Sequence, residues 1–258
     1  MATVLITGAS GGIGRALALE LGARNFDLVL AARNAIALKR LAQQIRDKHP
    51  GASVATFAVD LGQPGAASAL IEQLGGTPID ILVNNAGSGE FGKFQEVDWP
   101  RYAGTLQLNM VALTELTHGL LPAMLRRQTG QIVNIASTAS FQPLPWMAVY
   151  GATKAYVLSL SEALAYELRG SGVKVLAFCP GATHSGFASA AQAQQSNNFK
   201  EGHTASPEAV ARAIAKQIAG QRGGVTVHGA MNAIMAALAP VSPRAIVLRM
   251  TDRTMKPI

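Results

Sequence analysis

The sequence predicts an α/β protein: a doubly wound, parallel, seven-stranded sheet with a short helical extension at the C-terminal end. Three observations predict it. Short runs rich in Val, Ile and Leu recur, and each is followed by a segment with helical periodicity. Those runs are apolar almost throughout instead of alternating, as in strands covered on both faces. The 258 residues are 49% hydrophobic and only 14% charged, enough to bury one large core in a single domain, residues 1–258.

The elements follow in order. "TVLI" is the first strand and leads into a helix from Gly12 to Ala23; "FDLVLA" precedes a helix from Ala35 to His49. "SVATFAV" precedes a helix from Pro64 to Leu74, and "IDILVN" precedes an irregular stretch and one long helix near Arg101 to Arg127. "GQIVNIAS" leads to "VYGATKAYVLSLSEALAYEL", residues 149–168, helical with an apolar stripe at Val157, Leu160, Leu164 and Leu168. "VKVLAFC" is followed by a loop and a helix from Pro207 to Ala219, and "GVTVH" closes the series. Right-handed crossovers then place ligands at the carboxyl ends of the strands.

Composition narrows the function. The formal charge is +7, but the basic residues are scattered from Arg15 to Lys256 without an aromatic-and-basic cluster, so nucleic acid is set aside. A positive field suits an anionic cofactor. The lone Cys179 ends an apolar run, which reads as an inert buried thiol and, with no disulfide framework, as a reducing, cytoplasmic setting. "MATVLITGAS" has no basic leader and reads as a first strand, not a secretory signal. His49, His118, His184, His203 and His228 show no metal-ligand spacing, and no metal is expected.

The first strand runs into a glycine-rich turn, "TGASGGIG", with Thr7, Gly8, Gly12 and Gly14 in the pattern T-G-x-x-x-G-x-G. Backbone that passes close to a pyrophosphate needs glycine, and the helix that follows offers unpaired N–H groups and a positive dipole end. A Rossmann-like dinucleotide site is the expectation.

Further along stand "VDL" (59–61), "NNAG" (84–87), Asn109, Ser137, "YGATK" (150–154) and "PGAT" (180–183). In this order and spacing the chain resembles the short-chain dehydrogenase/reductase family in its single-domain form, over roughly residues 2–190. The resemblance implies a cofactor cradle of Gly8, Ser10, Gly12, Ile13 and Gly14. It implies that Asp60 and Leu61 flank the adenine and that Asn85, Ala86 and Gly87 line the ribose. Pro180, Gly181 and Thr183 would run along the nicotinamide carboxamide, with Tyr150 and Lys154 also touching the cofactor.

Chemistry supports a catalytic set of Asn109, Ser137, Tyr150 and Lys154. Of the four tyrosines only Tyr150 has a lysine at i+4. A phenol titrates near pH ~10, and a cation one helical turn away is expected to lower that value and poise Tyr150 as an acid/base. Ser137 ends a strand, where it can hydrogen-bond a substrate oxygen, with Thr138 and Ser140 as nearby alternatives among the residues alone. Asn109 is a poor helix former in an apolar helix; the family reading has it hold a water that connects Lys154 to solvent.

The expected reaction interconverts a carbonyl and an alcohol with NADP(H), NAD(H) being possible. The second strand ends in Ala32 and Arg33 where an NAD enzyme usually carries a carboxylate, and Arg33, helped by Ser10 and Arg15, suits a 2′-phosphate. The alternatives are an NAD-dependent alcohol dehydrogenase of the same family and a dinucleotide sensor without turnover. Residues 187–206 read as a substrate loop, with His184 and His203 near it. The helices near 101–127 and 150–169 suggest a two-fold contact in a homodimer or homotetramer. The tail, residues 229–258, is apolar and then basic; it suggests a lid over a hydrophobic substrate, a subunit contact, or peripheral association with anionic lipid.

Overall fold

The computed structural model describes residues 1–193 and 204–256. Residues 194–203 of the expected substrate loop, His203 among them, lie outside the described residues, as do the last two of the tail.

Seven strands form one sheet: β1 (Thr3–Thr7), β2 (Asp27–Ala32), β3 (Val54–Ala58), β4 (Ile81–Asn84), β5 (Gly130–Ile135), β6 (Val173–Cys179) and β7 (Gly224–Val227). Their order is β3-β2-β1-β4-β5-β6-β7 and every neighbouring pair is parallel. The chain winds outward from β1 to β3, then crosses back to lay β4 on the other side of β1. That reversal opens a crevice at the carboxyl ends of β1 and β4, where such sheets bind ligands.

The helices α1 (Gly12–Gly22), α2 (Ala35–Lys48), α3 (Ala66–Gln73), α4 (Trp99–Leu106), α5 (Leu113–Arg127), α6 (Ala148–Glu167), α7 (Gly186–Ala190) and α8 (Pro207–Ala219) surround the sheet. On one face Leu17, Leu21, Leu38, Ile45 and Ile214 bury the apolar sides of α1, α2 and α8 against Val4, Ile6, Leu28 and Leu30. On the other, Leu70 and Leu116 of α3 and α5 pack on Leu5, Leu82 and Ile132. Starts are set by local chemistry. The Asn34 side chain accepts from Ala37 N at 2.9 Å to cap α2, and Ser206 caps α8 ahead of Pro207.

The expected long helix near Arg101 to Arg127 is three segments instead. Between α4 and α5, residues Gln107–Ala112 are π-helical, and Asn109 sits in that wider turn. Such a turn adds a residue without breaking the helix, and it recurs at functional sites. The 3.6-residue pattern does not resolve it.

Beneath the sheet a buried polar chain locks these helices to the strands. Asn84 Nδ2 donates to Thr117 Oγ1 of α5 at 3.1 Å and to Asn134 Oδ1 of β5 at 2.9 Å. Asn134 Nδ2 donates to Ser161 Oγ of α6 at 2.9 Å, and Ser161 Oγ donates to Val157 O at 2.6 Å. The tail continues as α9 (Ala230–Leu238), a 3-10 turn (Ala239–Val241) and α10 (Arg244–Met255). Among the described residues no helix is long and apolar enough to cross a membrane.

Removing Asn134 cuts that chain in the middle: Asn84 Nδ2 loses one of its two acceptors and Ser161 Oγ loses its donor. Asn134→Ala is expected to cost about 2 kcal/mol and to lower the melting temperature by roughly 5 °C. A thermal melt unchanged from the parent would show that the chain does not hold α6 in place.

Candidate active site

A cleft of about 650 Å³ opens at the carboxyl ends of the strands. Its floor is the glycine-rich turn, and side chains are absent there for steric reasons. Gly8 has φ +66°, and a Cβ on it would stand 2.9 Å from Ala86 Cα. A Cβ on Gly14 would stand 2.5 Å from Gly8 O and from Asn85 Nδ2. The turn is pinned from behind: Thr7 Oγ1 accepts from Asn85 N and Ala86 N, both at 3.0 Å, and Asn85 Nδ2 donates to Thr7 O at 2.8 Å. This backbone cradle leads into the N-terminus of α1 and fits a pyrophosphate.

Of the residues expected to meet a cofactor, Gly8, Ser10, Gly12, Ile13, Arg33, Asp60, Asn85, Ala86 and Gly87 line this cleft. Tyr150, Lys154, Pro180, Gly181 and Thr183 line it as well. Gly14 lies just beneath the turn. Leu61 does not line it: its side chain is buried in the core packed against the sheet, and only its neighbour Asp60 faces the cleft. Arg15 is also elsewhere, donating to Gln44 Oε1 at 3.0 Å on α2. His184 is exposed and lies outside the lining, while Ser185 takes the cleft side and caps α7. Residues 8–12 also happen to read G-x-S-x-G, the spacing of a hydrolase nucleophile elbow. Among the described residues no histidine lines the cleft beside Ser10 to serve as the base such chemistry needs.

Three of the four expected catalytic residues meet at one end. Lys154 is 6% exposed, and its Nζ donates to Ile135 O at 2.7 Å and lies 5.8 Å from the Tyr150 ring centroid. Burial lowers its pKa to about 8. Tyr150 goes the other way. Burial pushes its phenol up to about 12, opposed by a hydrogen bond with the Ser137 hydroxyl. The expected depression by Lys154 is therefore overturned in the protein alone, because loss of water around the phenol outweighs the ammonium one turn away. Ser140 is excluded as the alternative, since its hydroxyl donates to Lys154 O at 2.8 Å, whereas Ser137 and Thr138 line the cleft. Cys179 is a buried thiol pushed up to about 12, again by burial, and so is inert.

Asn109 stands behind this group and does not line the cleft. Its Oδ1 accepts from Ser88 N at 3.0 Å, and its Nδ2 donates to Ser88 O and Thr153 Oγ1, both at 2.9 Å. A Cβ on Gly87 would lie 3.3 Å from Asn109 Oδ1 and 3.5 Å from Lys154 Nζ, so the two side chains approach the same backbone point.

A family model for short chain dehydrogenases matches residues 2–196. The chain belongs to the short-chain dehydrogenase family. It is therefore an oxidoreductase of the class acting on CH–OH and carbonyl groups. A very-long-chain 3-oxoacyl-CoA reductase from Laccaria bicolor is 35% identical over 67% of this chain, which spans about half (52%) of that relative. The ketoacyl reductase HetN from Nostoc is 31% identical over 95% of this chain and 86% of its own. Among solved structures, a short-chain dehydrogenase from Sphingobium yanoikuyae in complex with NADPH superposes with a TM-score of 0.83 at 35% identity. That match covers 93% of this chain and 94% of the other.

One acidic cleft residue of this short-chain dehydrogenase lies outside the sequence motifs. Glu90 is 6% exposed, lines the cleft, and accepts from Thr105 Oγ1 at 2.7 Å, while Ser88 and Thr105 hydroxyls lie 2.6 Å apart. Its second oxygen, Oε2, is buried without a protein partner among the described residues. The only sequence signal was a carboxylate three residues after "NNAG", within an irregular stretch.

Burial raises the Glu90 pKa, against the Thr105 hydrogen bond and the Arg101 charge. A raised carboxyl favours folding while protonated, and that contribution is lost as pH climbs above the ordinary 4.5 through the raised value. Glu90→Gln does not titrate. Its melting temperature is expected to gain on the parent's steadily from acid to neutral pH. A difference that stays flat across that range would contradict the buried-carboxyl assignment.

Proposed function

We propose that the protein is an NADPH-dependent reductase of ketones with a hydrophobic body, with Tyr150 as proton donor to the carbonyl oxygen. The observation that carries this reading is the convergence of Ser137, Tyr150 and Lys154 on the end of a glycine-floored dinucleotide cleft. A bound nicotinamide supplies the hydride and, when oxidised, a positive charge beside the phenol. The chain's own residues do the rest. Ser137 and Tyr150 offer hydroxyls to one substrate oxygen, which fixes the carbonyl and stabilises the charge that develops on it. Lys154, an ammonium below pH ~8, favours the phenolate left after proton transfer and offers donors to the ribose. Asn109 holds the turn at Ser88 next to Lys154, where a water connected to solvent can return the proton.

Arg33 supports the choice of NADPH. It is exposed at the end of β2, lines the cleft, and no carboxylate stands at the preceding Ala32. A guanidinium there can pair with a 2′-phosphate in bidentate fashion. The substrate end supports the hydrophobic body: Leu108, Leu144, Met147, Phe187 and Met255 line it, and the Phe187 ring packs at 5.0 Å, tilted by 49°, against the Tyr150 ring. The names of the fungal and cyanobacterial relatives, an oxoacyl-CoA and a ketoacyl reductase, point the same way. For assembly we propose a two-fold contact through α5 and α6, tied together by Thr114 Oγ1 and Tyr156 OH at 2.8 Å, with Val111 49% exposed beside them.

Two variants test the reading by NADPH consumption with a panel of ketones. Tyr150→Phe is expected to lower kcat by about 10²–10⁴-fold and leave NADPH binding nearly intact; normal turnover would sink the mechanism. Arg33→Ala is expected to raise the KM for NADPH severalfold and leave that for NADH unchanged. Equal effects on both cofactors would refute the 2′-phosphate assignment.

A further inference from the structure

The second tail helix has two different faces. Inward, Val247, Thr251 and Met255 are buried, and Met255 reaches the cleft beside Met147 and Phe187. Asp252 is drawn the same way, accepting from Trp146 Nε1 at 2.9 Å. Outward stand Arg244, Arg249, Arg253 and Lys256, all exposed, interleaved with Ile246, Leu248 and Met250. Arg249 and Arg253 are one helical turn apart, a like-charge pair that disfavours the helix. Among the described residues neither has an ion-pair partner.

The helix before it is stranger. Over Ala230–Leu238 there is no charged residue. Only Ala236 is buried, and Asn232 is turned to the protein by a 2.8 Å bond from Nδ2 to His228 O. The remaining face presents Met231 (69% exposed), Ile234 (53%), Met235 (44%) and Leu238 (51%), continued by Val241 (79%) in the next turn. A helix apolar on its solvent side is covered in its working state. Here the cover must also accept positive charge, because the basic helix that starts at Arg244 follows the apolar one, which ends at Leu238, after a single 3-10 turn. A second copy of the chain would bring two such basic sets together about a two-fold axis. An anionic bilayer complements both: acyl chains for the methionines and leucine, headgroups for the arginines.

We propose that α9 and the outer face of α10 dock the protein on an anionic membrane surface, with the substrate cleft opening beside it. Nine and twelve residues are too short to span a bilayer, so the pair lies in the interface plane. The proposal rests on the carbonyl-reductase reading and narrows its substrate class to lipid-soluble ketones. These would enter past Met255 without crossing water.

The test uses the full chain with vesicles of phosphatidylcholine alone and of phosphatidylcholine mixed with phosphatidylglycerol. Sedimentation with the mixed vesicles only, reversed by salt, is expected. Arg249→Glu with Arg253→Glu, and separately Ile234→Asp with Leu238→Asp, should each weaken that partition by roughly tenfold or more. Both pairs should still oxidise NADPH with a water-soluble ketone in the absence of vesicles. Equal sedimentation with both vesicle types, or with neither, would overturn the proposal. So would a dimeric mass that the Ile234→Asp, Leu238→Asp variant reduces to one chain. Vesicle binding without turnover of any carbonyl would support docking and sink the reductase reading alone.

Discussion

The site depends on one constraint: a buried lysine and a partly buried tyrosine share one helix, where both lose most of their water. Lys154 is almost wholly buried and has one carbonyl, that of Ile135, as its hydrogen-bond partner. Desolvation disfavours a charge on either side chain, so it lowers the lysine to about 8 and lifts the tyrosine to about 12. The two values move in opposite directions, each toward the neutral form of its group. Under the proposed reaction, a nearby positive charge and a substrate oxygen are what would favour the phenolate. In water the same two groups would be an ordinary exposed pair with no such bias.

Everything around the pair serves to hold it there. The carboxyl end of β5 supplies both the Ile135 carbonyl and, two residues on, Ser137. The polar chain through Asn84, Asn134 and Ser161 fixes α6 against β4 and β5, so the rotation of that helix, and with it the direction of Tyr150 and Lys154, is set by buried hydrogen bonds. Behind the pair, the π-helical turn aims Asn109 at Ser88 and Thr153, and Gly87 lies close to Lys154 Nζ. A Cβ at Gly89 would meet the Tyr150 ring at 2.8 Å. The sheet's switch between β1 and β4 gives the cofactor cradle its place, and Tyr150 and Lys154 line the same cleft.

Much of this was legible in the residues, and for identifiable reasons. Strands buried on both faces write themselves as continuous apolar runs, so all seven were found within a residue or two, and the doubly wound architecture followed from their alternation with helices. Glycines whose Cβ would collide with backbone, Gly8 and Gly14, leave a spacing that no other residue can imitate. What depends on three-dimensional surroundings was not legible. The direction of the Tyr150 shift comes from burial, which spacing does not report. The π-turn at Asn109 has the same composition as the helix around it. Leu61 sits next to Asp60 in sequence, yet the two point to opposite sides, one into the core and one into the cleft. The second oxygen of Glu90, enclosed without a partner among the described residues, is likewise a matter of packing that a lone carboxylate in an irregular stretch does not report. The tail could be read as amphipathic, but only the packing of Ala236, Val247 and Met255 shows which face is left outside.

The central claim is that the protein alone keeps Tyr150 neutral and that the oxidised cofactor's charge is what brings its phenolate within reach. The direct measurement is the ultraviolet phenolate absorbance of Tyr150 against pH, taken as the difference between the parent and Tyr150→Phe, with and without NADP⁺. The account predicts a transition near 12 for the protein alone and a shift toward neutrality when NADP⁺ is bound. A Tyr150 transition already near neutrality without cofactor, or one that NADP⁺ leaves in place, would contradict it.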